Sequence, residues 1–156
     1  MGTTRVVRGT EGAEVRPWTV KTAGSDNGDR FDFMVGTIDY LTGPPLHVHA
    51  EQDDTFYVLE GVLTVQSGDE IIDLEPGDFL TVPPGVPHTF DNVRADQPTV
   101  RAINIMTPGG YAEAIDEFNG LGEQITDLAR AREVGRRHGV DFVGPPLREK
   151  LGLDAG

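Results

Sequence analysis

A mainly β fold, an antiparallel double sheet closed into a barrel and followed by a helical C-terminal extension, is what this sequence predicts. Three observations carry that expectation. Short apolar and β-branched runs recur between residues 56 and 106, separated by turn chemistry at Glu60-Gly61, Ser67-Gly68-Asp69 and Pro76-Gly77-Asp78, which is the spacing of a sandwich or barrel. After Pro108-Gly109-Gly110 the apolar period changes from that of a strand to that of a helix. His47 and His49 stand two residues apart, so on a strand they share one face, and Asp54 and His88 can join them only if later strands fold back on the first.

Taken in order, residues 15–20 and 31–41 read as strands around the polar loop Gly24-Ser25-Asp26-Asn27-Gly28-Asp29, because apolar runs bounded by Gly, Asn and Asp are strand and loop signals. Residues 47–49 form an inward-facing strand. Residues 56–59, 62–66, 71–74, 79–82, 88–93 and 100–106 are the short strands that follow, and an antiparallel double sheet of such strands leaves few exposed edges. Tyr111, Ala114, Ile115 and Phe118 recur at helical spacing and predict an amphipathic helix packed on the barrel. Thr126 or Asp127 caps a second helix running toward His138, with Gly139 as its stop. His138, beside Arg136 and Arg137, reads as a solvated side chain. Residues 141–146 read as an extended tail, and there is no internal repeat or low-complexity segment.

Two segments concentrate the chemistry. The first runs from Gly43 through His47, His49 and Asp54 to Gly61, and the second reads Gly77-Asp78-Phe79-Leu80-Thr81-Val82-Pro83-Pro84-Gly85-Val86-Pro87-His88, with Asn92 beyond it. They resemble the two sequence motifs of the cupin superfamily. The second matches at Gly77, Pro83, Gly85, His88 and Asn92. The first departs from the pattern in two ways, since Gly43 lies closer to His47 than usual and aspartate replaces the usual glutamate. Counting back from Gly61 puts that carboxylate at Asp54, although Asp53 also fits the looser spacing after His49. The resemblance implies a cupin-type double-stranded β-helix, or jelly-roll barrel, over about residues 31–106, and metal ligation by His47, His49, Asp54 and His88. The succession of Gly-Gly-Tyr, amphipathic helix, second helix and Phe-Val-Gly-Pro-Pro is similar to the C-terminal extension of single-domain cupins like bacterial quercetin dioxygenases. Residues 1–156 are thus expected to form a single cupin domain, with residues 109–156 as a helical extension that closes the barrel or covers its pocket. Such cupins commonly pair, so a homodimer is expected.

Composition narrows the function classes. The chain has 156 residues, 37% of them hydrophobic, which suits one core better than two. The absence of cysteine leaves nitrogen and oxygen donors for any metal. Twenty-six acidic against 13 basic side chains give a net charge of -13, which repels nucleic acid. Neither a signal peptide nor a run of ~20 apolar residues, the length of a membrane span, is seen, so a cytoplasmic protein with no membrane partner is expected.

Three imidazoles and a carboxylate suit one divalent transition ion per protomer, Fe, Mn, Co, Ni or Zn, with Fe(II) favoured. An apolar pocket lined by Phe33, Val35, Phe56, Val58, Phe90 and Ile103 is expected to take a small, flat or enolisable molecule. Only Arg94 and Arg101 lie near the motifs, too few cations for a sugar nucleotide. The expected function is a metal-dependent dioxygenase acting on a small enolisable or flavonol-like aromatic compound chelated to the ion. Two alternatives stay open: an oxygen-independent isomerase, cyclase or decarboxylase, with Tyr57 or an unliganded Asp53 or Asp54 moving the proton, and a non-catalytic small-molecule-binding cupin.

Overall fold

The structure, a computed structural model, describes residues 2–121 and 128–153. The N-terminal hairpin consists of β1 (Ala13–Val15) and β2 (Trp18–Thr22), and a short helix α1 (Gly24–Asn27) leads into β3 (Asp32–Asp39). There follow β4 (Pro45–His49), β5 (Asp53–Glu60), β6 (Leu63–Ser67), β7 (Glu70–Leu74), β8 (Phe79–Val82), β9 (His88–Asp91) and β10 (Thr99–Thr107). The C-terminal part holds α2 (Tyr111–Asn119), α3 (Leu128–Arg137), β11 (Val140–Pro146) and α4 (Leu147–Lys150). Among the described residues no helix is long and apolar enough to cross a membrane.

Two antiparallel sheets form the body, one in the order β1-β2-β3-β10-β5-β8 and the other β11-β4-β9-β6-β7. Period-2 alternation sends Met34 and Ile38 of β3, Phe56 and Val58 of β5, and Val100, Ala102 and Met106 of β10 into the same core as Leu63, Val65 and Phe90 of the second sheet. Phe90 meets rings from the opposite sheet, with its centroid 5.0 Å from Phe56 and 5.9 Å from Trp18. At one end the two sheets face each other through polar side chains instead, and there the site lies.

Several expectations are corrected. Residues 15–20 are not one strand, because the chain reverses at Arg16-Pro17 so that Val15 pairs with Trp18. Proline cannot donate to a ladder. Phe33, Val35 and Ile103 do not face the interior. They alternate with the buried Met34, Ala102 and Asn104 and lie on the outer face of the six-stranded sheet. Phe56, Val58 and Phe90 are buried as expected. The sheets also reach beyond residues 31–106, taking in β1 and β2 before them and β11 after.

The tail expected over 141–146 is therefore a strand, and an important one. Strand β4 meets β9 only at His47↔His88, whereas β11 pairs it at Val140↔His49, Asp141↔Val48, Phe142↔His47 and Pro146↔Pro45. Behind β11, Phe142 packs with Ala114 and Phe118 of α2 and Ala131 and Val134 of α3 in a second apolar cluster. The helix expected from Tyr111 onward is present and buries Ala112, Ala114 and Phe118. The proposed caps Thr126 and Asp127 lie outside the described residues. His138 is not solvated, since its Nε2 sits 2.9 Å from Glu117 and ties the end of α3 to α2.

One turn beside the site is tightly packed. A β-carbon on Gly43 would collide with the carbonyl oxygen of Phe90 and with Asp91, so only glycine lets the chain pass there into β4. Asp91 is itself fully buried. Its Oδ1 accepts from the N–H of Asn92 at 2.8 Å, and its Oδ2 has no hydrogen-bond partner among the described residues. Burial pushes this carboxyl up to about 6, against the opposing backbone N–H groups of Gly43 and Asn92 and the charge of Arg148. A folded value above the unfolded 3.8 means that the native state holds more protons between the two values. The stabilisation is complete below the unfolded value and is lost as pH rises through about 6. Asp91→Asn is accordingly expected to stabilise the protein at pH ~7.5 by about 1–3 kcal/mol and to do nothing below pH ~3.5. Urea unfolding at both pH values checks this, and an equal effect at both would contradict it.

Candidate metal centre

His47 and His49 project inward from β4, His88 opens β9 directly opposite His47, and Asp54 reaches across from β5 in the other sheet. All four are buried, between 1% and 3% exposed. Each offers one ligand atom, and these atoms lie within 4.8 Å of one another. Strand parity selects Asp54 over Asp53, which points to the other face and is only half-buried. Parity also removes Tyr57, three residues on from Asp54. It is 39% exposed on the outer surface, paired in register with the equally outward Phe79. The acid–base role expected of Tyr57 is therefore corrected, since its side chain stands on the far side of the sheet from the cluster.

The ring orientations are set by the backbone. Nδ1 of His47 lies 2.8 Å from the carbonyl of Pro45 and Nδ1 of His88 lies 2.9 Å from that of Val86. A carbonyl only accepts, so both Nδ1 atoms carry the proton, and each Nε2 is turned toward the cluster. Nε2 of His88 is 2.8 Å from Oδ2 of Asp54, and Nε2 of His49 is 3.4 Å from the same oxygen. Two donors at ~2.1 Å from one ion and at right angles to each other stand about 3 Å apart. The shorter aspartate thus reaches as far as this arrangement requires.

The electrostatics favour a neutral His47 and an ionised Asp54. Burial, helped by the charges of His88 and His49, pushes His47 down to about 3, so it is neutral at ordinary pH, the form that binds metal. Burial works against a charged Asp54, but the hydrogen bonds and charges of His49 and His88 prevail and hold it below the usual carboxylate range. Burial likewise opposes a charged His88, and the hydrogen bond and charge of Asp54 raise it nonetheless. Among the described residues Nδ1 of His49 is buried with no hydrogen-bond partner, and its Nε2 has only the long 3.4 Å approach to Oδ2 of Asp54. Leaving such groups unpaired costs roughly 1–3 kcal/mol each, and a bound ion would give one of them its partner. The donor set therefore fits a divalent transition ion.

Three further residues shape the centre without standing in either motif. Asn104 of β10 donates from Nδ2 to Oδ1 of Asp54 at 2.5 Å and to the carbonyl of Thr55 at 3.1 Å. Tyr111, the first residue of α2, sets its ring at right angles to His49 with centroids 4.5 Å apart. Burial, reinforced by the negative charge of Asp54, raises its hydroxyl well above the ordinary tyrosine range. Asp32 of β3, fully buried, receives the N–H groups of Gly110, Tyr111 and Ala112 at 2.8 to 3.1 Å and that of Gly24 at 2.7 Å. It thereby satisfies the free N-terminal donors of α2 and meets the positive end of the helix dipole. The sequence signals were Gly109-Gly110-Tyr111 for Tyr111 and an inward acidic position on an apolar strand for Asp32. For Asn104 there was none.

Comparisons with known proteins agree with this frame. Residues 36–106 match a family model described as Cupin domain. Over 63 residues, 40% of this chain, the sequence is 36% identical to the quercetin 2,3-dioxygenase of Bacillus subtilis strain 168, of which the match covers 18%. Over 51 residues, 32% of this chain, it is 45% identical to the oxidoreductase iacF of Pestalotiopsis fici, of which the match covers 25%. The chain thus spans a quarter or less of the length of these curated relatives. The structure of KdgF from Halomonas sp. superposes with a TM-score of 0.57 at 18% identity, covering 70% of this chain and 96% of that one, a likeness of fold alone.

Proposed function

Because the chain belongs to the cupin superfamily, whose barrel frames many reactions, we propose that it is a metal-dependent dioxygenase acting on a small enolisable or flavonol-like compound. The observation that carries this reading is the buried cluster of His47, His49, His88 and Asp54, in which the ring of His49 makes no close hydrogen bond among the described residues. The local similarity to a quercetin 2,3-dioxygenase and to an oxidoreductase supports the reaction class. A divalent ion held by these four residues supplies a Lewis acid for an enolate or phenolate oxygen and, in a redox-active metal such as Fe(II), a partner for dioxygen.

The chain's own residues do the rest. His47 and His88, tied at Nδ1, hold their Nε2 atoms in place and cannot turn away. Met34, Phe56 and Met106, none more than 1% exposed, belong to the apolar core behind the cluster and keep water from it. Tyr111 keeps its proton at Oη across the physiological range and so can donate to a developing oxyanion beside His49. It replaces Tyr57 in that role.

The test is an oxygen electrode together with metal analysis of the purified protein, using flavonols, enediols and 1,3-dicarbonyl compounds. Oxygen uptake that matches substrate loss, abolished in His47→Ala, is the expected result. Substrate loss without oxygen uptake would move the protein to the isomerase, cyclase or decarboxylase class, and binding without turnover would make it a carrier.

A further inference from the structure

The geometry points to Asn104 as the positioning residue that makes Asp54 a ligand through one oxygen only, an inference that rests on the metal reading above. Asp54 has two carboxylate oxygens, and the structure gives them different work. Oδ2 faces His88 at 2.8 Å and His49 at 3.4 Å, while Oδ1 accepts the amide of Asn104 at 2.5 Å. The orientation of that amide is not ambiguous. Its other neighbour is the carbonyl of Thr55 at 3.1 Å, and both neighbours only accept, so the NH2 end must face them. With its two N–H groups directed to residues 54 and 55, the side chain pins the start of β5 to β10.

Sheet register explains why this residue can do it. Met106 stands opposite Asp54, and Asn104 stands opposite Phe56. Asn104 is therefore the diagonal neighbour of Asp54 on the same inward face, about 7–8 Å away at the backbone and within reach of the two side chains. It is 3% exposed, so its bond is not in competition with water. Aspartate, one methylene shorter than glutamate, has fewer torsions through which to adjust its oxygens. A fixed hydrogen bond on Oδ1 then decides that Oδ2 alone meets the ion, which keeps one more coordination position free for substrate or water. Partners of this kind commonly set the orientation and affinity of metal ligands.

The test uses Co(II) loaded into the full chain and read by affinity and by the visible absorption spectrum, neither of which needs turnover. In Asn104→Leu, similar in size but without donors, Asp54 is free to offer both oxygens. Co(II) affinity is expected to fall about 10- to 100-fold, and the absorption to weaken as the coordination number rises. Asn104→Gln, which keeps the amide but displaces it, is expected to lie between this variant and the unmodified protein, and it decides the matter if the leucine variant does not fold. Unmodified affinity and spectrum in the variants would overturn the inference and leave the metal reading standing. Failure of the unmodified chain to take up Co(II) at all would overturn both.

Discussion

His88→Ala is expected to strip the protein of its divalent ion, whereas His138→Ala leaves it in place. His88 uses both ring nitrogens, one on the carbonyl of Val86 and one on Asp54, and it is the residue that joins β9 to β4 at His47. Its loss removes one of the four proposed ligands and also leaves Oδ2 of the buried Asp54 without its nearest partner. His138 contributes only a contact with Glu117 between two helices, worth no more than about 1 kcal/mol. Metal analysis should show at least ~10-fold lower occupancy in His88→Ala, since the loss of even an outer-shell partner costs that much. An ion present at ~1,000 times its dissociation constant stabilises the native state by about 4 kcal/mol. Chelation should therefore lower the thermal midpoint of the unmodified protein and of His138→Ala but not that of His88→Ala. Equal metal content in the two variants would remove His88 from the ligand set.

Asp32→Ala is expected to be the most damaging substitution outside the metal ligands, at about 3–5 kcal/mol. The carboxylate, 0% exposed, collects four backbone N–H groups, three of them at the N-terminus of α2. Gly110 precedes the helix at φ 110, a conformation that only glycine adopts readily, so the turn depends on the carboxylate for its hold. Gln52 adds bonds to the carbonyls of Pro108 at 2.8 Å and Gly109 at 3.4 Å, which cannot substitute for those four, because they leave the N–H groups of the turn unpaired. The loss should also release Tyr111 from His49, so activity should fall further than the fraction of unfolded protein accounts for. Urea unfolding and turnover measured together check this. A cost under ~1 kcal/mol would show that the helix start is held by other means.

Much of the fold could be read from the sequence because between residues 56 and 106 nearly every strand is bracketed by Gly, Pro or Asp turns, and the ligands fall in motifs of fixed spacing. Parity along a strand was also legible. Asp54 and Tyr57 differ by an odd number of residues and so cannot share a face of one regular strand, which alone argues against Tyr57. Parity failed at Phe33, Val35 and Ile103 because both faces of β3 and β10 carry apolar side chains, and alternation then has no sign. The residues around the ligands were illegible for a different reason. Asn104 touches Asp54, Tyr111 touches His49 and Asp32 touches α2 through register between strands and packing of a helix, which depend on pairings far apart in sequence. The role of β11 was hidden by Pro145-Pro146, which suggests an unpaired segment. It pairs nonetheless as the edge of its sheet.

The place of β11 beside β4 bears on when the cluster takes its shape. A chain emerges from the ribosome N-terminus first, and most of the pairing of the strand that bears His47 and His49 comes from Val140, Asp141, Phe142 and Pro146. Until those residues are released, the two histidines belong to a strand joined to its other neighbour at a single point. An incomplete chain thus offers loose imidazoles rather than a shaped cage. Geometry is what discriminates among divalent ions, so a cluster whose strand is held mainly by residues 140–146 can discriminate among them only once those residues have joined the sheet.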